Sequence, residues 1–181
     1  MTSIQANLRN KLALVLALGS AISMASDHNH DHSPEKHVHG EGMINVVINE
    51  TWKTAEIEWH LPAMDILGFE RAAKNPAEQS KIDSTLKQLA REIPLSLNLN
   101  SNLNCKTTLE KDSPDFDVEG EHAEIQVEID IVCEKSLKDS ELEFKFTKSL
   151  EKFKTFELQL IAPQVQLAKT FKKPGGKIII K

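Results

Sequence analysis

The chain predicts an α+β domain that is mostly antiparallel β, a sandwich-like or helix-covered sheet with one main amphipathic helix. Three observations carry this prediction. Short runs from residue 44 to the C-terminus alternate apolar and polar residues, the period of a half-buried strand. One stretch, ending before Pro94, instead repeats Ile82, Leu86, Leu89 and Ile93 at helical spacing. Two lone cysteines, Cys105 and Cys133, lie on the apolar side of two alternating runs.

The elements follow in order. Residues 1–25 have the layout of a secretory signal peptide: Arg9 and Lys11 with no acid, an apolar run over 12–18, and small residues at Ser23 and Ala25 before a cut. The apolar run is shorter than the roughly 20 residues that a bilayer span needs, and no later stretch is long and apolar enough. Residues 26–41 hold five of the seven histidines and no core-forming run, so they read as a flexible arm. Residues 42–181 read as a single domain of a length that can build its own core.

Within that domain, strands 42–48 and 53–61 form a β-hairpin around Asn49-Glu50-Thr51. A two-residue turn at Glu50-Thr51 would put Glu41 opposite His60 and Met43 opposite Glu58. Residues 62–74 are irregular with a short helical turn. Asn75-Pro76-Ala77-Glu78 is a helix start, with a capping residue, Pro at the first position and Glu at the third. Strands follow at 103–110 and 122–133, with a loop rich in Asp, Glu and Gly between them. Strands at 142–146 and 156–161 flank a helical turn at 147–152. Strands at 165–171 and 177–180 close the chain around Pro174-Gly175-Gly176.

Composition excludes some functions. Loss of residues 1–25 removes Arg9 and Lys11, leaving 20 basic against 27 acidic residues, a net charge of −7. Nucleic acid needs a basic surface, so it is not a partner. In an oxidising compartment Cys105 and Cys133 most simply form one disulfide, since no second cysteine pair completes a zinc thiolate site. The sequence contains no nucleophile elbow, no His-Glu-x-x-His, no phosphate loop and no dinucleotide fingerprint, and the chain reads as non-enzymatic. Asp115 and Asp117 fall in a loop of like charge, where solvated acids are expected.

Metal chemistry is the remaining signal. His28, His30 and His32 alternate with Asp27, Asn29 and Asp31, and His37 and His39 follow. Neutral imidazole binds Zn, Cu and Ni, and carboxylates complete the shell. Four ligands at about 2.0–2.2 Å suit zinc. A cut after Ala25 would leave Ser26-Asp27-His28 as the N-terminus, whose amine, backbone nitrogens and imidazole fit square-planar Cu(II) or Ni(II). On the hairpin, His37, His39 and Glu41 would share the polar side with Glu58 and His60. His122, between Glu121 and Ala123-Glu124, starts another strand and is a further candidate.

The run His37-Val38-His39-Gly40-Glu41-Gly42-Met43-Ile44-Asn45-Val46, followed by Leu61-Pro62-Ala63-Met64-Asp65 and Gly68-Phe69-Glu70, resembles the ZrgA-type periplasmic zinc-binding proteins. Glu121-His122-Ala123-Glu124, the two cysteines and the closing strands fit the same family, and the resemblance covers nearly all of the chain after residue 25. It implies a Gram-negative periplasmic protein that serves zinc acquisition beside an ABC-type zinc importer, with His37, His39 and His122 as ligands by motif match. Two departures stand out. Arg71 replaces the usual His after Gly-Phe-Glu, and residues 106–121 lack the His-rich insertion common between the cysteines.

The expectation is therefore a periplasmic accessory protein that captures Zn(II) through histidines and supports uptake by the importer's components. The competing expectations are a non-catalytic envelope interaction protein with an incidental His arm, and Cu or Ni binding at the mature N-terminus. Imidazole capture of zinc should weaken as pH falls through about 6.5.

Overall fold

The computed structural model describes residues 40–181 except 112, 120 and 121. Among the described residues ten strands form one sheet: β1 (Glu41–Ile48), β2 (Thr54–Pro62), β3 (Leu97–Leu99), β4 (Cys105–Leu109), β5 (Asp115–Glu119), β6 (His122–Cys133), β7 (Glu141–Lys145), β8 (Thr155–Ala162), β9 (Val165–Lys172) and β10 (Gly175–Ile179). Their spatial order is β3-β7-β10-β9-β8-β1-β2-β6-β4, and β5 also pairs with β6. β4 and β5 lie end to end along β6, opposite residues 129–133 and 122–126 respectively. All the pairings are antiparallel except β1 with β8.

One face of this sheet is apolar because the alternation is nearly unbroken. Ile44, Val46 and Ile48 of β1, Ile57, Trp59 and Leu61 of β2, and every second residue of β6 from Ala123 to Cys133 are buried. The sheet curls so that this face meets itself. Trp59 on β2 and Phe144 on β7 are separated by four strands in the sheet, yet their rings meet edge to face at 5.9 Å. Phe156 touches Trp59 at 5.2 Å, and Phe153 touches Phe156 at 5.0 Å. Trp59 Nε1 is buried without a hydrogen-bond partner among the described residues, so the ring contributes shape and area alone. Trp59→Phe is accordingly expected to cost only about 1–2 kcal/mol, the lost volume without a lost hydrogen bond. A loss above about 4 kcal/mol in urea unfolding, beyond what the volume change explains, would show that the indole N–H matters.

Helix α1 (Ala63–Leu67) leaves β2 directly, and α2 (Pro76–Glu92) is the amphipathic helix. The Asn75 side chain accepts from the Glu78 N–H at 2.9 Å, as the helix-start pattern requires. Ile82 and Leu89 are buried, as is Ile93 just beyond the helix. α2 packs against α1, β5, β6 and the short 3-10 turns Pro94–Ser96 and Lys148–Leu150, so it covers part of the curled sheet.

Four sequence expectations are corrected. The hairpin register is shifted by two residues: Met43, not Glu41, pairs with His60, and Asn45, not Met43, pairs with Glu58. The parity survives because a shift by two keeps the faces. The cause is a longer turn. Asn49 Oδ1 accepts from Thr51 Oγ1 at 2.8 Å and from the N–H groups of Lys53 and Thr54 at 3.3 Å, and Trp52 takes the left-handed conformation at φ 58°. A bulky residue rarely adopts that conformation, so nothing local announced it. Second, the acidic loop contains β5, so Asp115 and Asp117 lie on a strand; their charges obscured the alternation of Phe116 and Val118. Third, β3, only three residues long, was not expected, and the last turn is Lys173-Pro174, with Gly175 and Gly176 already in β10. Fourth, β1 begins at Glu41, which the sequence assigned to the arm.

Candidate metal site on the outer face

The segment that carries the histidine run meets the domain at Gly40. Its φ is +82°, a conformation that favours glycine. Its N–H donates to Asp65 Oδ2 at 2.8 Å, and its carbonyl accepts from the N–H groups of Lys154 and Thr155 at 2.6 and 3.3 Å. Asp65 of the Pro-Ala-Met-Asp segment thus anchors the residue that follows His39. Gly42 serves a second purpose: a Cβ there would lie 2.2 Å from the buried Phe156 ring, so only glycine lets β1 run so close to it.

Beyond this root, the outer face of β1, β2 and β6 is polar by the same alternation that buries the inner face. Met43, His60 and Gln126 form one transverse row, and Asn45, Glu58 and Glu128 the next. Like charges stand directly opposite in these rows: Glu58 faces Glu128, and Glu56 faces Asp130. Such pairs cost stability. Burial, reinforced by repulsion from Glu56 and Glu110, holds the Glu128 carboxyl above the ordinary Glu range.

His60 stands within this acidic face, its side chain only 17% exposed. Nδ1 lies 3.2 Å from Glu124 Oε2, and Nε2 lies 2.9 Å from Glu58 Oε2 and 3.2 Å from Asn45 Nδ2. The hydrogen bond from His60 to Glu124 raises its pKa most, against the opposing effect of burial, and Glu58 adds to the rise. The two carboxylates thus favour the protonated ring more than solvent would. Carboxylates stand at both ring nitrogens; with a metal on Nε2, Glu124 on Nδ1 would hold the ring as outer carboxylates hold metal-binding histidines. A cation replacing the Nε2 proton would meet Glu58 alongside.

A shallow hollow of about 190 Å³ opens beside His60, lined by Glu41, Gly42, Met43, His60, Pro62, Glu124 and Glu157. His122 is on the same face of β6 as Glu124, two residues earlier, with Nδ1 3.4 Å from Glu70 Oε2. The structure therefore brings Glu41, His60 and His122 to one end of the outer face, around Glu124. His28, His30, His32, His37 and His39 lie outside the described residues. Among the described residues, no three His, Cys, Asp or Glu side chains are arranged to hold a metal ion. The oxygens of Glu58 and Glu124 are directed to opposite edges of the His60 ring and do not converge on one point.

Cys105 and Cys133 are register partners and form a disulfide, with Cα atoms 3.9 Å apart. Arg71 makes a two-pronged pair with Glu78, at 2.7 and 3.0 Å, and its guanidinium lies 5.1 Å from the Phe69 ring centroid. Arg71, assisted by the Lys74 N–H, holds Glu78 down to about 2. The position is thus spent on bracing the start of α2. Sequence reasoning missed Glu157 and the anchoring roles of Asp65 and Glu70. Glu157 reaches the hollow only because β8 runs parallel to β1, placing it opposite Met43.

Among the described residues no helix is long and apolar enough to cross a membrane. The comparison with curated proteins finds no match. A family model described as ZrgA family zinc uptake protein matches residues 36–180, from just before His37 to the last strand. With the match spanning His37 and His39, the outer-face hollow and the disulfide, the chain belongs to the ZrgA family of zinc uptake proteins.

Proposed function

We propose that this protein is a non-catalytic periplasmic zinc collector, exported by a signal peptide over residues 1–25, that binds Zn(II) through histidines and passes it to components of an ABC-type importer. The observation that carries the ordered part of this reading is His60: it is half-enclosed, oriented through Nδ1 by Glu124, and backed at Nε2 by Glu58. His39 is adjacent to the anchored Gly40, and Glu41 already lines the hollow. A residue spans at most about 3.6 Å of chain, so His37 and His39 are tethered within reach of His60 and Glu124. The histidine run thereby supplies the ligands that the described face lacks. His28, His30 and His32, further out, act as the first capture groups. Zinc is the cargo, and its release to a partner is easier from a site whose ligands are divided between the sheet and the preceding histidine run.

Calorimetric zinc titration of the mature protein, beside a version lacking residues 26–36, tests the reading. Binding that survives the deletion is expected, because His37, His39, His60 and His122 remain. Binding that disappears with the deletion would reduce the domain to a docking module carrying a metal sponge, and no zinc binding in either form would sink the assignment. The affinity should also fall between about pH 7.5 and 5.5, since protons compete for every imidazole. The pKa of His60 is raised, so zinc binding there should release more proton at a given pH than binding at an ordinary imidazole would. Binding heats should then vary with the ionisation enthalpy of the buffer. An affinity that does not change with pH would rule out imidazole ligation.

A further inference from the structure

We propose that Met43 and His60 together form a soft-metal site that takes Cu(I), alongside the zinc chemistry of the same hollow. Met43 and His60 are direct cross-strand partners on the outer face, and both line the hollow. Opposed residues have Cβ atoms about 5 Å apart. The thioether turns outward rather than into the core: Met43 Sδ accepts from Gln159 Nε2 at 3.9 Å, on the polar face of the sheet. Met has three rotatable side-chain bonds, so the sulfur can swing toward His60 Nε2; Glu58 Oε2 at 2.9 Å and Asn45 Nδ2 at 3.2 Å now stand at that nitrogen, and the cation would displace these contacts.

Thioether sulfur is a poor ligand for Zn(II) and a good one for Cu(I), whereas imidazole serves both. Carboxylates favour harder ions, so Glu124 at Nδ1 would orient His60, and Glu58 beside Nε2 would compete only weakly for a soft cation. Cu(I) also tolerates a small ligand set, so one thioether and one imidazole are enough to hold it. The ion is bound and released as Cu(I), with no redox step. The inference shares His60 with the zinc reading, but its distinguishing ligand is Met43.

The test is an anaerobic Cu(I) titration of the mature protein against a colorimetric Cu(I) chelator, with X-ray absorption on the loaded sample. Of the four methionines, Met1 and Met24 precede the expected cleavage point, leaving Met43 and Met64, while both cysteines are in the disulfide. A sulfur neighbour of copper is therefore a methionine. We expect sulfur scattering that Met43→Leu removes and Met64→Leu retains, with at least a roughly tenfold loss of Cu(I) affinity in Met43→Leu. Zinc titration of the same variant provides the control. An equal loss of both metals would mark a repacked hollow and overturn the role of the thioether, as would sulfur scattering that persists in Met43→Leu or is never seen. A Cu(I) effect specific to Met43 in a protein that fails to bind zinc would sustain this inference while removing the zinc reading.

Discussion

His60→Gln should abolish ordered zinc binding at the hollow, whereas Glu124→Gln should weaken it by about 10–100-fold, the usual effect of losing the group that orients a ligating imidazole. The two variants separate two roles. His60→Gln keeps a polar side chain of similar reach but removes the imidazole itself. Glu124→Gln leaves the imidazole in place and removes the carboxylate that holds Nδ1 at 3.2 Å. Competition with a fluorescent zinc indicator reads both effects. If His60→Gln binds zinc like the parent, His60 is not a ligand and other groups carry the affinity.

The same substitution has a consequence for folding that needs no metal. The pKa of His60 is raised in the folded protein, first by the Glu124 hydrogen bond and then by Glu58. The stabilisation from this cluster is therefore fully present below the unfolded value of about 6.5 and is lost as pH rises through the higher folded value. His60→Gln should thus destabilise the apo domain more at about pH 6 than at about pH 9. Equal destabilisation at both pH values would show that packing, rather than charge, is what the imidazole contributes.

Replacing both Cys105 and Cys133 with Ser should lower stability by about 3–4 kcal/mol, because the crosslink closes a loop with a sequence separation of 28. For a domain of this size the melting temperature should drop by about 10 °C. The location sharpens the expectation. β4 is the terminal strand in the sheet order, is five residues long and, among the described residues, pairs only with β6. Without the disulfide its attachment depends on that ladder and the partly buried Leu109. Urea unfolding of the double variant measures the loss, and a change below about 1 kcal/mol, far under the loop-closure value, would mean that β4 is held by packing alone. Zinc titration of the same variant should be nearly unchanged, since β4 meets β6 opposite residues 129–133, away from His122 and Glu124.

Much of this was readable along the chain, for reasons that are local. The alternation over 44–48, 55–61 and 123–133 determined which side chains face the core, because strand geometry points successive residues to opposite sides. Asn75-Pro76 and Glu78 determined where α2 starts, because a cap is a contact between residues three apart. Cys105 and Cys133 could be paired because no other cysteine competes. The odd sum of facing residues in the β1–β2 hairpin was also sound, since it follows from matching apolar faces.

The partners of those faces were decided only by tertiary structure. The number of turn residues between β1 and β2 depended on an unusual left-handed Trp52, whose backbone is also tied to Leu137 across the fold. That moved Met43, rather than Glu41, opposite His60. The parallel pairing of β1 with β8 joins segments far apart along the chain and carries Glu157 to the hollow. β5 was concealed because Asp115 and Asp117 made a strand resemble a loop. The Glu124–His60–Glu58 arrangement likewise needed the β2–β6 register. The sequence by itself determined the two faces of each strand and the chemistry available on them. Tertiary structure decided which side chains meet, because strand neighbours are chosen by burial of the whole apolar face and not by adjacency along the chain.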